Sequence, residues 1–216
     1  MRRLLIALAT LACVAPIALA QPKAAPKAAA PKAAAAKAPA VAPRAAPQWR
    51  ANAATSLIRV TGHFDAAAIV CNFPRWTSDI RFDPANLPGS SVRVVVDPTA
   101  VACVDPDHWG LSATLQESGW FDTRRAAAPA ANKQVIFQST SFRAVGAGRY
   151  EAAGTLTAKG RAVPVTLPFT LTIAGANADM AGALTIDRTK FAMTDQGDEI
   201  AHAAAISVHV VATRAP

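Results

Sequence analysis

The stretch from Tyr150 to Ile173, YEAAGTLTAKGRAVPVTLPFTLTI, decides the fold of this chain. Its second half alternates without a break, because apolar side chains at every second position share one face: Val163, Val165, Leu167, Phe169, Leu171 and Ile173. Proline, threonine and alanine occupy the positions between them. A period of two with β-branched and aromatic residues predicts a strand with one buried face.

This strand is also the second arm of a predicted hairpin. Lys159-Gly160 separates it from the run Tyr150–Thr157, and glycine supplies the positive φ that a tight turn needs. A strand of about eleven residues is roughly twice the usual length. Such strands are typical of barrels and large curved sheets, whose buried face either packs solidly or holds a ligand.

Charge divides the chain into two parts. The 216 residues carry a formal charge of +8, and residues 1–50 contain eight Lys or Arg and no acid, so residues 51–216 are neutral. A neutral domain with scattered basic residues lacks the basic surface that nucleic-acid binding requires. We therefore expect no nucleic-acid partner.

Residues 1–20 have the pattern of a secretory signal peptide. Met1-Arg2-Arg3 precedes an apolar run, and Ala18-Leu19-Ala20 matches an A-x-A cleavage site. The run is too short for a membrane span and contains Pro16. We expect cleavage after Ala20 and a periplasmic location; a lipid anchor at Cys13 is the alternative.

Residues 21–50 are predicted to form a disordered linker rich in Ala, Pro and Lys. They have too little apolar surface to offset the entropy of ordering, and the frequent prolines block a continuous helix. The linker is either a plain spacer or makes peripheral contact with an anionic membrane surface through its lysines.

Eight strands are predicted within residues 51–216: Ser56–Phe64, Ala66–Phe82, Val92–Cys103, Gln134–Phe142, Arg149–Thr157, Arg161–Ile173, Asp179–Asp187 and Ala201–Thr213. The second is expected to bulge at Pro74, and Asp105–Trp120 indicates one short helix or irregular excursion. This pattern predicts an all-β domain that forms an eight-stranded antiparallel barrel, with a two-sheet sandwich as the alternative.

Cys71 and Cys103 are the cysteines of this domain, and export favours a disulfide between them. We expect the hairpin between the second and third strands to be centred on Leu87. The numbers of two residues that face each other then add up to 174, so Cys71 faces Cys103. A bulge of one residue would break this register. Two unpaired buried thiols are the alternative.

No motif for metal binding or catalysis is present in the sequence. Its four histidines are too scattered for metal spacing, the pattern Asp105-x-Asp107-His108 is typical of a turn, and nucleophile-elbow and phosphate-loop motifs are missing. We expect neither enzymatic activity nor a metal.

The predicted barrel is just wide enough for side chains to fill it or for one ligand to replace them. Because Phe137 and Phe142 differ in parity, at most one of them faces the interior unless the strand bulges. The candidate ligand-binding residues of the lumen are Phe73, Trp76, Phe82, Val94, Trp120, Phe121, Phe137, Leu156, Val165, Leu167, Phe169, Leu184, Ile186 and Phe191.

Several motifs in order along residues 52–214 resemble the YceI-like family of exported isoprenoid-binding proteins. They are Cys71-x-Phe73-x-x-Trp76, Trp120-Phe121-Asp122, Val135-x-Phe137-x-Ser139-Thr140, Gly154-Thr155-Leu156-Thr157, Pro164-Val165-x-Leu167-Pro168-Phe169 and Gly182-x-Leu184-x-Ile186-x-Arg188-x-x-Phe191. The resemblance implies a lipocalin-like barrel that holds an isoprenoid lipid, such as a quinone or polyprenyl species, in its lumen.

Trp120-Phe121-Asp122 and Leu167-Pro168-Phe169 resemble the motifs of one branch of the family, whose members occur with membrane cytochromes of the b type. This resemblance implies a membrane b-type cytochrome as a partner. The alternative function is a tethered interaction module with a filled barrel. Two departures stand out: Cys71 replaces a usual glycine, and Leu111-Ser112 replaces a usual Arg-Asp pair, for which Asp107-His108 is a candidate substitute.

Overall fold

A computed structural model describes residues 45–216 apart from Ala66, residues 106–109, Ser118 and residues 196–198. The predicted signal peptide and most of the predicted linker lie outside these described residues. Within them, no helix is both long enough and apolar enough to span a bilayer.

The described residues form eleven strands and one short α-helix. The strands are β1 (Gln48–Ala51), β2 (Leu57–Phe64), β3 (Ala67–Asn72), β4 (Trp76–Arg81), β5 (Ser91–Val96), β6 (Ala102–Cys103), β7 (Val135–Gly146), β8 (Arg149–Ala158), β9 (Arg161–Ala174), β10 (Asn177–Asp187) and β11 (Ala203–Arg214). The helix α1 (Leu111–Thr114) lies between β6 and β7, and 3₁₀ turns occupy Leu87–Gly89, Pro98–Ala100, Ala130–Lys133 and Arg188–Phe191.

The sheet closes into a barrel because β11 pairs on both of its edges. One edge pairs with β10, and the other pairs with β2 through Ala205–His209 and with β1 through Ala212–Arg214. The pairs β1–β2, β3–β4 and β5–β6 are each two parts of one barrel strand. The predicted eight-stranded antiparallel barrel with one short helix is therefore confirmed, and the sandwich is excluded.

Two of the predicted strands are each divided into two strands in the structure. The strand predicted at Ala66–Phe82 breaks between β3 and β4, and the one at Val92–Cys103 breaks at a 3₁₀ turn. Pro74 and Pro98 lie in these two breaks, where a residue without an amide hydrogen cannot extend the ladder. The sheet also begins at Gln48, inside the predicted linker, because the apolar Trp49 is buried.

The disulfide between Cys71 and Cys103 is confirmed, but the register used to predict it was wrong. Facing residues in the β4–β5 hairpin have numbers that add up to 172, as for Trp76 and Val96, whereas those of β3 and β6 add up to 174. Five residues, 97–101, connect β5 to β6, whereas only three, 73–75, connect β3 to β4. The two additional residues between β5 and β6 change the sum from 172 to 174, which brings the cysteines opposite each other.

A bulge in β7 turns both of its phenylalanines into the barrel. Ser139 faces Gly154 and Ser141 faces Ala153, so Thr140 is the extra residue. The extra residue reverses the parity of the strand. Phe137 and Phe142 therefore both face the interior. The sequence allowed this arrangement only if the strand contained a bulge.

We predict that the disulfide stabilises the wall of the barrel. The double variant Cys71→Ala/Cys103→Ala should lower the free energy of unfolding by about 3 kcal/mol, because the denatured chain loses a cross-link that closes a loop. Urea denaturation measures this difference. Reducing agent should destabilise the parent similarly and leave the double variant unchanged. A double variant as stable as the oxidised parent would contradict the prediction.

Candidate functional site

The interior of the barrel encloses a cavity of about 680 Å³. Its walls are almost wholly apolar, and Ser78, Thr114 and Arg188 contribute its only hydroxyl and charged side chains among the described residues. Apolar cavities of this kind exclude ordered water, because water needs polar partners. The lumen therefore suits a hydrocarbon chain rather than a polar group.

The structure brings all fourteen candidate lumen residues together on the wall of this cavity. They come from the barrel strands and the segments that follow them: Phe73, Trp76, Phe82, Val94, Trp120, Phe121, Phe137, Leu156, Val165, Leu167, Phe169, Leu184, Ile186 and Phe191. That these residues contact a ligand stays a prediction.

Four rings contact one another inside the barrel near one end, and we call them the aromatic floor: Phe82, Phe142, Tyr150 and Phe169. The cavity continues past them, because Leu171 and Ile173 of β9 also line it. The centroid of the Phe82 ring lies 5.2 Å from that of Phe142, 5.5 Å from that of Tyr150 and 6.0 Å from that of Phe169. Phe82 follows β4, and Phe169 belongs to β9 on the opposite side of the ring of strands. Their contact therefore bridges the interior at this level.

Trp49 completes the floor. Its indole Nε1–H donates a hydrogen bond of 2.9 Å to the carbonyl oxygen of Phe82, and its side chain is buried. Neither Trp49 nor Tyr150 was among the candidate residues. The parity of Tyr150 with the inward-facing Ala152 and Leu156 of β8 was the available signal.

The opposite end is covered by the segment between β6 and β7, whose described residues 110–134 we call the cap. Trp120 and Phe121 of the cap are buried, and the Phe121 ring packs edge to face on Phe73 with centroids 5.9 Å apart. Leu111 and Leu115, at the start and the C-cap of α1, also line the lumen. The Trp-Phe pair thus inserts its rings into this end of the barrel.

Asp122 anchors the chain directly after this pair. The residue has a φ of 53°, and its carboxylate accepts a hydrogen bond of 2.8 Å from Arg125 and a longer one from Asn132. Nearby, burial lowers the pKa of the Lys159 ammonium, while the negative charge of Asp122 opposes this shift. The third residue of the Trp-Phe-Asp motif therefore has a structural role within the cap, where it holds Arg125 and Asn132.

Arg188 is the charged residue of the lumen wall and is only 4% exposed. Its guanidinium donates hydrogen bonds to the carbonyl oxygens of Met193, Ile200 and Ala201. Its Cζ atom also lies 5.0 Å from the centroid of the Trp120 ring, in cation–π geometry. Arg188 thus joins the segment that follows β10 to the cap.

The role of Arg188 was missed in the sequence, where it appeared only within a family motif. Its position continues the parity of Leu184 and Ile186, which both line the lumen. This parity was the signal that could have identified it as inward-facing. A buried arginine needs acceptors, and residues between β10 and β11 supply three carbonyl oxygens.

Asp187 stabilises the 3₁₀ turn that contains Arg188. Its carboxylate accepts hydrogen bonds from the hydroxyl of Thr189 at 2.6 Å and from the backbone amide of Thr189 at 2.9 Å. These hydrogen bonds lower the pKa of the Asp187 carboxyl below its usual value. Asp97 and Thr99 form the same arrangement after β5.

Within the cap, Leu111-Ser112 stands where the family pattern has an Arg-Asp pair. Leu111 lines the lumen, and the Ser112 hydroxyl accepts a hydrogen bond of 2.9 Å from the amide of Cys103. Ser112 thereby links α1 to the cysteine of β6. Asp107 and His108 lie outside the described residues.

A closed eight-stranded barrel around an apolar cavity defines a lipocalin-like protein. A family model described as the YceI-like domain matches residues 49–212, and the chain belongs to this family. The prediction of the family is confirmed. A search of curated proteins found no match.

Three solved structures illustrate the similarity. BcnA from Burkholderia cenocepacia is 24% identical with a TM-score of 0.66, over 76% of this chain and 99% of BcnA. The Campylobacter jejuni YceI protein is 16% identical with a TM-score of 0.59, over 71% of this chain and 90% of that protein. A polyisoprenoid-binding domain from Saccharophagus degradans is 10% identical with a TM-score of 0.59, over 78% and 99% of the chains. These likenesses show a shared fold.

We predict that Arg188 is essential for the stability of this end of the barrel. Arg188→Met should lower the free energy of unfolding by about 3 kcal/mol or more, because it leaves buried carbonyl oxygens without donors. Arg188→Lys should also be less stable than the parent, since one ammonium group cannot reproduce the planar set of donors of the guanidinium group. The exposed Lys190→Met should change stability by no more than about 0.5 kcal/mol. Thermal and urea denaturation measure all three, and a fully stable Arg188→Lys would contradict the prediction.

We predict a pH-dependent contribution from Asp187. Its pKa is lowered in the folded state, so its stabilisation is present above the unfolded value of about 3.9 and is lost as the pH falls through the folded value. The difference in unfolding free energy between the parent and Asp187→Ala should therefore be largest near neutral pH and shrink below about pH 4. Urea denaturation across this range measures it. Thr189→Val removes the hydroxyl donor and should reduce the same pH dependence. If the parent and Asp187→Ala differed in unfolding free energy by the same amount at every pH, the prediction would be refuted.

Proposed function

We propose that this protein binds one isoprenoid-type lipid, a quinone or a polyprenyl species, and carries it without chemical change. The observation that supports this most is the enclosed apolar cavity of about 680 Å³. Its volume falls within the range of small-molecule binding sites. The polyisoprenoid-binding domain of Saccharophagus degradans, which shares the fold, also supports a lipid of this class.

The magnitudes are sufficient for useful affinity. Burying one isoprene unit of five carbons contributes roughly 4 kcal/mol, at about 0.8 kcal/mol per carbon. Three such units exceed the cost of association by enough for micromolar binding, if that cost is about 4 kcal/mol. A hydrocarbon chain therefore needs no polar contact in the lumen to bind.

The cellular setting is part of the same proposal. The signal-peptide pattern of residues 1–20 supports export to the periplasm, and the basic residues up to Arg50 support contact with an anionic membrane surface. The Trp-Phe-Asp and Leu-Pro-Phe motifs support a membrane cytochrome of the b type as a partner. An interaction module with a filled barrel is less consistent with a cavity of this size.

We predict that Leu167→Trp abolishes lipid binding while the barrel stays folded. Leu167 faces the lumen from β9, and the added ring would occupy space that the lipid chain needs. Thr166→Trp places the same ring on the exposed outer face and is the matched control. Calorimetric titration with a short-chain quinone should show binding by the parent and the control only.

Two outcomes would overturn the proposal. Equal quinone binding by both tryptophan variants would mean that the lipid does not occupy the lumen. Unfolding of Leu167→Trp, together with no binding by the parent, would mean that the lumen is a packed core, since overpacking destabilises a filled interior by about 1–3 kcal/mol.

A further inference from the structure

The barrel end opposite the cap is also the end at which β1 begins, and we call it the linker end. Five described segments outside the strands form it: residues 45–47, 82–90, 147–148, 175–176 and 215–216. The chain is fixed where it reaches this end, because Ala46 is 2% exposed and the Pro47 carbonyl accepts a hydrogen bond from the Phe82 amide. The predicted linker is therefore joined to the barrel here, and its residues 21–44 carry five basic residues and no acid.

Exposed arginines surround the linker end. Arg81 ends β4, Arg149 begins β8 and Arg214 ends β11. Neither Arg81 nor Arg149 forms an ion pair with a described residue. Arg214 lies over the Trp49 ring, with 5.0 Å between its Cζ atom and the ring centroid. Asp83 is the one acid in the five segments. This end therefore presents guanidinium groups that are available to an anion.

The arginines of the cap differ, because carboxylates neutralise them. Arg124 forms an ion pair of 3.1 Å with Glu117, and Arg125 forms one of 2.8 Å with Asp122. The unpaired guanidinium groups and the basic linker thus belong to the same end of the barrel.

The hairpin tips between the arginines of the linker end are apolar. The tip between β7 and β8 exposes Ala144, Val145 and Ala147, and the tip between β9 and β10 exposes Ala174 and Ala176. The side chain of Val145 is 41% exposed. Apolar tips beside basic side chains suit a bilayer interface, where the tips enter the headgroup layer and the guanidinium groups contact lipid phosphates. A nucleic acid would engage the arginines but leave the tips in water.

We propose that the linker end docks on an anionic phospholipid bilayer. This inference rests on the part of the proposed function that concerns the linker, and it extends membrane contact to the barrel itself. Because the linker is joined to this end, its basic residues and the arginines of the barrel act on one surface. Docking in this orientation also turns towards the bilayer the part of the lumen that Leu171 and Ile173 line.

The test compares charge reversal at the two ends of the barrel. Arg81→Glu/Arg149→Glu changes the linker end, and Lys133→Glu/Arg161→Glu makes the same change in net charge at two exposed positions of the cap end. Residues 21–216 of each are sedimented with vesicles of equal parts phosphatidylcholine and phosphatidylglycerol. The linker-end variant should bind at least tenfold more weakly than the parent, and the cap-end variant should bind within twofold of the parent.

Three results of this comparison would overturn the docking of the linker end. Equal weakening in both variants would mean that net charge alone sets vesicle binding. Unchanged binding by the linker-end variant would mean that the linker acts without the barrel, and no binding by the parent would remove the membrane contact altogether. Titration with a short-chain quinone tests the carrier function separately, since none of the four positions lines the lumen. A parent that binds vesicles but no quinone would refute the carrier function and leave the docking intact.

Two exposed valines provide a second readout that does not depend on arginine. Val145→Asp places a charge on a hairpin tip of the linker end and should weaken vesicle binding at least threefold, because the tip leaves the headgroup layer. Val104→Asp makes the same change after β6, where Val104 is 59% exposed, and should leave vesicle binding unchanged. Equal binding by both folded variants would mean that the tips do not contact the bilayer.

Discussion

Closure of the sheet at β11 is the constraint on which the rest of this structure depends. The strand pairs with β10 along its whole length, and its other edge is divided between β2 and β1. These pairings join the first and last strands of the sheet, so the two terminal edges that an open sheet would expose are paired with each other. Closure also means that every inward-facing residue belongs to one interior.

The closed interior stays partly empty because its walls combine large and very small residues. Ala152, Ala204 and Ala212 face inwards and contribute little volume. Gly154 has a different role, since a Cβ atom there would lie 2.5 Å from the carbonyl oxygen of Gln138 and 2.8 Å from the Phe137 ring. The missing side chain at Gly154 thus lets the Phe137 ring lie close to β8. Protein interiors are normally packed without such space, which is why the cavity indicates a ligand.

The two ends of the lumen are built by different physical means. The aromatic floor is held by ring contacts and by the hydrogen bond from Trp49 to Phe82. The cap end is held by polar groups, namely Asp122 beneath the Trp-Phe pair and Arg188 against Trp120.

Much of this arrangement could be predicted from the sequence because it is local. The alternation in β9 identifies its inner face, and Val165, Leu167 and Phe169 line the cavity as it predicts. Five of the fourteen candidates lie outside the strands, where alternation gives no guidance: Phe73, Phe82, Trp120, Phe121 and Phe191. The breaks beside Pro74 and Pro98 were harder, since a proline in a strand pattern is compatible with a bulge or with a break. The pairing of Cys71 with Cys103 was predicted correctly because two errors cancelled. The predicted hairpin centre, Leu87, lies one residue beyond the observed centre, and the two extra residues around Pro98 compensate for that difference.

Other features depend on contacts between distant parts of the chain. The bulge at Thr140 follows from the pairing of β7 with β8, and nothing in the local sequence requires it. Phe82 follows β4, whereas Phe142 and Phe169 belong to β7 and β9, so the contact between the three rings depends on the curvature of the barrel. The acceptors of Arg188 are backbone carbonyls, which carry no signature in the sequence.

Direct identification of the contents of the lumen decides whether this barrel carries a lipid. The protein would be purified from bacterial cells without detergent, and its mass would be compared under native and denaturing conditions. We predict one bound prenyl lipid per chain, released on denaturation and recovered in the organic extract. Identical masses in repeated preparations, combined with no uptake of added prenyl lipid, would contradict the carrier function.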